Sequence, residues 1–285
     1  MPYATNQGVR IYWDEYGSGP PLLLIMGLSF THEMWFRILP SLAGRHRVIV
    51  FDNRGVGRSD VPRGPYRISQ MARDAVAVLD AARVSSAQVV GASMGGMIAQ
   101  ELALRHPDRV TSLVLGCTSH GGLFARWPQL TCLGGPFFPE AGRDRRLSWV
   151  PLLYSSSTAK ERILEDISLQ CQCVCTRKGA LNQLAGILLW SSFRRLPRIS
   201  VPTLVAHGSE DRLIPPQNGR VVASRIPGAR YQLIPNAGHI LMTDQPEICV
   251  ELMTEFLDRH AVRARSSSTN FPPTIHAAWP SRRLG

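Results

Sequence analysis

The chain has 285 residues, of which 44 % are hydrophobic and 19 % charged, with a formal net charge of +11. That balance excludes a disordered chain, and the longest apolar run, residues 21–28, is far short of the roughly 20 residues that span a bilayer. The positive charge is almost all arginine, scattered and without a nucleic-acid-binding motif, so no nucleic-acid partner is expected.

The opening residues are polar and lack a basic-then-apolar pattern, so cytoplasmic residence is the expectation. Alternation over 9–14 predicts an early strand. Short apolar runs bounded by Gly, Pro or Asn predict buried strands over 22–26 and 48–51. Ile68, Met71, Ala75, Leu79 and Ala82 recur near helical spacing and predict a helix over 68–84. A strand over 88–91 leads into a helix over 94–105 that stops before Pro107, and residues 113–115 lie in the next strand.

Over 119–196 this rhythm breaks into Gly, Pro, Trp and Cys-rich sequence, with helices expected over 160–175 and 178–189. Strands resume over 201–206 and 231–234. A last helix starts at Pro246 and carries Cys249, Leu252, Met253 and Phe256 on one stripe. The pattern is that of an α/β protein with a mostly parallel sheet covered by helices. It divides into a core in two halves, 1–118 and 197–260, an insertion at 119–196, and a basic tail at 261–285 expected to stay outside the core.

Cys171, Cys173 and Cys175 form C-x-C-x-C, which lacks the second pair that a zinc site needs, so no metal is expected there. In a continuous helix Cys171 and Cys175 would share a face as small hydrophobes.

Gly91-Ala92-Ser93-Met94-Gly95 matches G-x-S-x-G, with a predicted strand running in and a predicted helix running out. Such a tight turn strains the serine backbone and crowds its neighbours, which the flanking glycines relieve. It also sets the hydroxyl near a helix N-terminus, where developing negative charge is favoured. Serine needs a base to take its proton. The chain order Ser, acid, His that goes with this motif leaves His239, His260 and His276. His276 falls in the tail and His260 ends the last helix, whereas His239 follows a predicted strand directly, so His239 is the candidate base. The acid belongs after the strand over 201–206, where Glu210 and Asp211 compete. Asp211 is favoured because it meets the spacing G-x-x-D-x-x-x-P from Gly208 to Pro215.

Together these motifs resemble the α/β-hydrolase superfamily, of the serine esterase or lipase kind with a helical cap, over residues 9–259. The stretch from Asp52 to Ser59 resembles the family's D-x-R-G-x-G-x-S turn. The resemblance implies an oxyanion hole of two backbone N–H groups, those of Met94 and Leu28, with Met26 where the family often has histidine. It places a cap over 119–196, some of whose large side chains (Phe124, Trp127, Leu130, Leu133, Phe137, Phe138, Trp149, Tyr154, Leu188, Leu189, Trp190 and Phe193) should line an apolar pocket. Arg126 and the arginines of 143–146 are expected to be solvated. The activity implied is carboxylic ester hydrolysis through an acyl-enzyme on Ser93, without cofactor or metal, on small-molecule esters of small to medium apolar acids. A lactonase or enol-lactone hydrolase would use the same residues, and a ligand receptor on this fold could retain them while turning over slowly.

Overall fold

The structure, a computed structural model, describes residues 2–126, 149–172 and 175–261. Among these, eight strands form one sheet in the order β1-β2-β4-β3-β5-β6-β7-β8. They are β1 (Tyr3–Asn6), β2 (Val9–Tyr16), β3 (Pro21–Ile25), β4 (Arg47–Phe51), β5 (Ala87–Ala92), β6 (Val110–Gly116), β7 (Thr203–Gly208) and β8 (Arg230–Ile234). The β1–β2 and β2–β4 pairs are antiparallel; every other neighbouring pair is parallel.

Continuous apolar runs suit central parallel strands, because both faces of such a sheet are covered. Side chains alternate between faces. Leu23, Ile25, Val89, Leu113, Leu115 and Val205 enter one apolar cluster; Leu22, Leu24, Val90, Val114, Leu204 and Ala206 enter the other. The helices in chain order are α1 (Leu39–Ala43), α2 (Ile68–Ala81), α3 (Met94–Arg105), α4 (Val150–Leu153), α5 (Lys160–Gln172), α6 (Arg177–Leu188), α7 (Gln217–Arg225), α8 (Leu241–Asp244) and α9 (Pro246–Arg259). The first cluster is completed by α2, α3 and α7, the second by α1, α8 and α9. No described helix is long and apolar enough to cross a membrane.

Two helix ends differ from the sequence expectation. The helix expected over 68–84 ends at Ala81, because Arg83 takes a left-handed φ of 56° and the Val84 N–H reaches back to the Leu79 carbonyl at 2.8 Å. This is the closure by which helices commonly stop. The helix expected over 160–175 is described only to Gln172, and Cys175 forms an antiparallel bridge with Val56. Cys171 is exposed, so the two cysteines share no helical face. Cys173 and the tail from residue 262 lie outside the described residues.

The turn from Asp52 to Ser59 is held from several sides. Ser59 Oγ donates to the Asp52 carbonyl at 2.6 Å and accepts the Tyr12 N–H at 2.9 Å, while Asp52 Oδ2 accepts the Arg58 N–H at 3.0 Å. Arg54 leaves this turn to form a buried two-bond pair with Asp74 of α2, both contacts at 2.6 Å, and Asn6 donates to the same carboxylate at 2.7 Å. Removing one partner strands a charge away from water. Asp74→Ala is therefore expected to cost about 3–5 kcal/mol of stability. Urea unfolding measures this, and an unchanged midpoint would contradict the role given to the pair.

Candidate active site

Ser93 stands where β5 ends and α3 begins, at φ 56° and ψ −120°, a conformation that costs a non-glycine residue energy. Two glycines make the turn fit. A Cβ on Gly95 would enter the Ile25 carbonyl, and one on Gly91 would enter the first turn of α3. The strained residue is pinned by its own backbone: the Ser93 N–H donates to the Gly116 carbonyl at 2.8 Å, and Thr118 Oγ1 donates to the Ser93 carbonyl at 2.7 Å.

His239 comes from the loop after β8 and Asp211 from the loop after β7. The structure brings both to Ser93: His239 Nε2 is 3.0 Å from Ser93 Oγ, and His239 Nδ1 is 2.9 Å from Asp211 Oδ2. A carboxylate can only accept, so Nδ1 carries a proton and Nε2 in the neutral ring presents a lone pair to the serine hydroxyl. Asp211 Oδ1 accepts the Leu213 and Ile214 N–H groups at 3.0 and 2.8 Å, and His207 Nε2 lies 3.2 Å from Oδ2. Burial alone would push the Asp211 carboxyl up. The His239 and His207 imidazoles outweigh burial and hold it well below the usual carboxylate range.

Glu210 turns away from this cluster. Its carboxylate accepts from Ser155 Oγ at 3.0 Å and from the Ser156 N–H at 3.1 Å, joining the core to the segment after α4. His260 caps α9 against Phe256, and His276 lies outside the described residues.

The loop carrying Leu28 crosses directly over the serine. A Cβ on Gly27 would stand 3.1 Å from Ser93 Cβ, a tight contact that glycine avoids. Asn53 Nδ2 donates to the Met26 carbonyl at 2.8 Å, and Gln183 Oε1 of α6 accepts the Ser29 N–H at 2.9 Å. Leu28 and Met94 both border the cavity with Ser93 and His239. The Met94 N–H belongs to the first turn of α3, where backbone donors have no partner within the helix.

The cavity measures about 130 Å³ and is mainly apolar. Much of its wall comes from residues that the sequence reading did not name. Five methionines (Met26, Met34, Met94, Met97 and Met242) line it, joined by Leu and Ile side chains from core loops and from α4, α5 and α6. Of the large insertion residues named above, Tyr154 and Leu188 line it. Trp149 and Trp190 are buried as packing, and Phe124 is exposed and stacks on Phe193 at 4.8 Å. Leu189 is also exposed. Trp127, Leu130, Leu133, Phe137 and Phe138 lie outside the described residues, as do the arginines of 143–146. Arg126 is exposed, as expected, and also borders the cavity.

Three site neighbours escaped the sequence reading. Asp244 accepts the Gly238 N–H at 2.6 Å and the Ser155 N–H at 3.1 Å, so it ties the loop of His239 to the insertion. Gln183 does the same for the loop of Leu28, and His207 faces Asp211. Gln183 and Asp244 reach partners far off in sequence, Ser29 and Ser155, whereas His207 stands four residues before Asp211, a spacing that could have announced it. Cys117, His207 and Asp211 are the one group of three potential metal-ligand side chains among the described residues. Their polar atoms bond to one another and to the His239 ring, and Asp211 already has its oxygens filled by donors.

Residues 20–246 match the family model described as the alpha/beta hydrolase fold, and the chain belongs to that family. Among curated relatives, "Putative carbamate hydrolase RutD" of Azorhizobium caulinodans is 33 % identical over 262 residues, covering 90 % of this chain and 98 % of its own. Poly(3-hydroxyalkanoate) depolymerase of Ectopseudomonas oleovorans is 30 % identical, covering 86 % of each chain. Among solved structures, the enol-lactonase of Burkholderia xenovorans LB400 superposes with a TM-score of 0.79 at 25 % identity, over 90 % of this chain and 100 % of its own. These relatives are hydrolases, and so is this protein.

Proposed function

We propose that the protein is a serine carboxylesterase in which Ser93 is the nucleophile, His239 the general base and acid, and Asp211 the residue that orients and charges His239. The observation that carries the reading is the chain of contacts from Ser93 Oγ to His239 at 3.0 Å and on to Asp211 at 2.9 Å, on the floor of an apolar cavity. Ser93 Oγ attacks the ester carbonyl carbon as its proton passes to His239 Nε2. The tetrahedral oxyanion is held by the Leu28 and Met94 N–H groups, each such donor contributing about 10²–10³ in rate. Collapse breaks the bond to the alkoxy group, which leaves with the proton from His239. Water then attacks the acyl-enzyme by the same route, releasing the acid and free Ser93.

The apolar walls favour short to medium acyl chains, and the adaptable methionines fit chains of differing shape. The ester-cleaving name of the depolymerase relative supports an ester substrate. The likeness to an enol-lactonase supports a second reading, in which the ester is cyclic and acid and alcohol leave as one molecule. We also propose 119–196 as the cap, set between core halves 1–118 and 197–260.

Hydrolysis of p-nitrophenyl esters of rising acyl length, beside a panel of lactones, tests this reading. Turnover is expected to rise and then fall between butanoyl and octanoyl chains. Preference for lactones would favour the second reading, and tight binding without turnover of either would point to a receptor.

A further inference from the structure

The penultimate residue of β7 is His207, whose ring is fully buried beside the acid of the site. Its Nε2 lies 2.7 Å from the Ile214 carbonyl oxygen and 3.2 Å from Asp211 Oδ2. Both oxygens can only accept, so Nε2 carries a proton; its short bond goes to the Ile214 carbonyl, with Asp211 Oδ2 as the second, longer partner. Among the described residues Nδ1 has no hydrogen-bond partner, and the backbone of Gly219 packs so closely that a Cβ there would stand 2.5 Å from it. Nε2–H thus lies against the same Asp211 oxygen that receives the His239 Nδ1–H.

We propose that His207 is a positioning residue that tunes the general base: by occupying Asp211 Oδ2 as a second donor, it limits how strongly that carboxylate holds a proton on His239. The inference rests on the triad reading given above. An anion that accepts an extra hydrogen bond has its charge spread over more partners and draws less on each. Without His207, Asp211 would stabilise the doubly protonated His239 ring more strongly, and less acid would be needed to block the base. The acid limb of reactivity would then move to higher pH.

The other ionisable groups around the cluster leave this role to His207. The Cys117 thiol, pushed well up by burial, also bonds to Asp211, but as a weak S–H donor. The Cys249 thiol is likewise pushed up by burial, and Tyr231 stands near Cys117. Asp244 is engaged with the Gly238 and Ser155 N–H groups, and Glu210 faces Ser155 and Ser156. Arg212 adjoins Asp211 in sequence and interacts with Glu210, while Arg126 borders the cavity.

The test is the rate at which a fluorophosphonate labels Ser93 across pH, in the wild-type protein, His207→Leu and His207→Gln. Labelling forms the Ser93 Oγ–P bond, expels fluoride and sends the serine proton to His239, so it needs no knowledge of the natural substrate. In His207→Leu the acid limb is expected to move up by roughly 0.5–1 pH unit. In His207→Gln, whose amide N–H reaches the position of Nε2, the limb should return towards wild type. Should His207→Leu fail to fold, His207→Asn takes its place, since its shorter amide cannot reach Oδ2. A limb that stays put while only the plateau rate or the thermal stability falls would overturn the inference and leave His207 a packing residue. Absence of labelling in the wild-type protein at every pH would instead overturn the triad reading, and this inference with it.

Discussion

Ser93→Ala lowers kcat on any turned-over ester by a factor on the order of 10⁶, with thermal unfolding unchanged. The size follows from the proposed role: without Oγ no acyl-enzyme could form, and the residual rate would be water attack assisted by the oxyanion donors and substrate binding alone. Stability is spared for a local reason. The strained backbone at φ 56° is held by the Ser93 N–H, the Ser93 carbonyl and the flanking glycines, none of which involves Oγ. The hydroxyl contributes the single side-chain contact to His239 at 3.0 Å. Steady-state kinetics beside a melting curve check both halves. Turnover within a hundredfold of wild type would point to another nucleophile.

Asp211→Asn is expected to lower kcat by about 10⁴, whereas Glu210→Gln should change it only severalfold. Both faces of the Asp211 carboxylate receive donors: the Leu213 and Ile214 N–H groups on Oδ1, and His239 with His207 on Oδ2. An asparagine that keeps its oxygen on the Oδ1 side must point its NH₂ at two imidazole N–H groups. His239 can relieve the clash by moving its proton to Nε2, which removes the lone pair that Ser93 needs. Glu210 meets Ser155 and Ser156 near the surface instead, so its neutral amide weakens the hold on the insertion and little more. Measuring kcat for both variants on one ester separates the two acids; the reverse order would overturn the choice of Asp211.

The G-x-S-x-G turn, the G-x-x-D-x-x-x-P spacing and the chain order of acid and histidine made Ser93, Asp211 and His239 legible, because each sits where a strand gives way to a loop or helix. The central strands were legible too, since residues 22–25 and 48–51 are buried on both faces and must be apolar throughout. β1 was not. It is an edge strand with only Ala4 buried, so its polar residues show no burial pattern. Nor was α7, which contains Asn218 and Gly219, poor helix formers. Gly219 is there because the His207 ring packs against it, and Asn218 because its side chain clasps the backbone of Arg126 at 2.8 Å from both its oxygen and its nitrogen. The pocket was legible only as apolar. Of the large insertion residues expected to contribute, Tyr154 and Leu188 do, whereas Trp149 and Trp190 pack inward, and methionines from the segment between β3 and α1 and from α3 and α8 form much of the wall. Partners such as Gln183 and Asp244 act across long stretches of chain, which no local periodicity records.

The central claim, that ester cleavage passes through a covalent bond to Ser93, is tested most directly by trapping the acyl-enzyme. The protein is mixed with a p-nitrophenyl ester, quenched in acid within the first turnover, and its peptides are weighed by mass spectrometry. The account expects the mass of one acyl group on the peptide bearing Ser93, together with a burst of p-nitrophenol equal to the enzyme present. An acyl group on another residue, or steady turnover with no burst and no adduct, would contradict it.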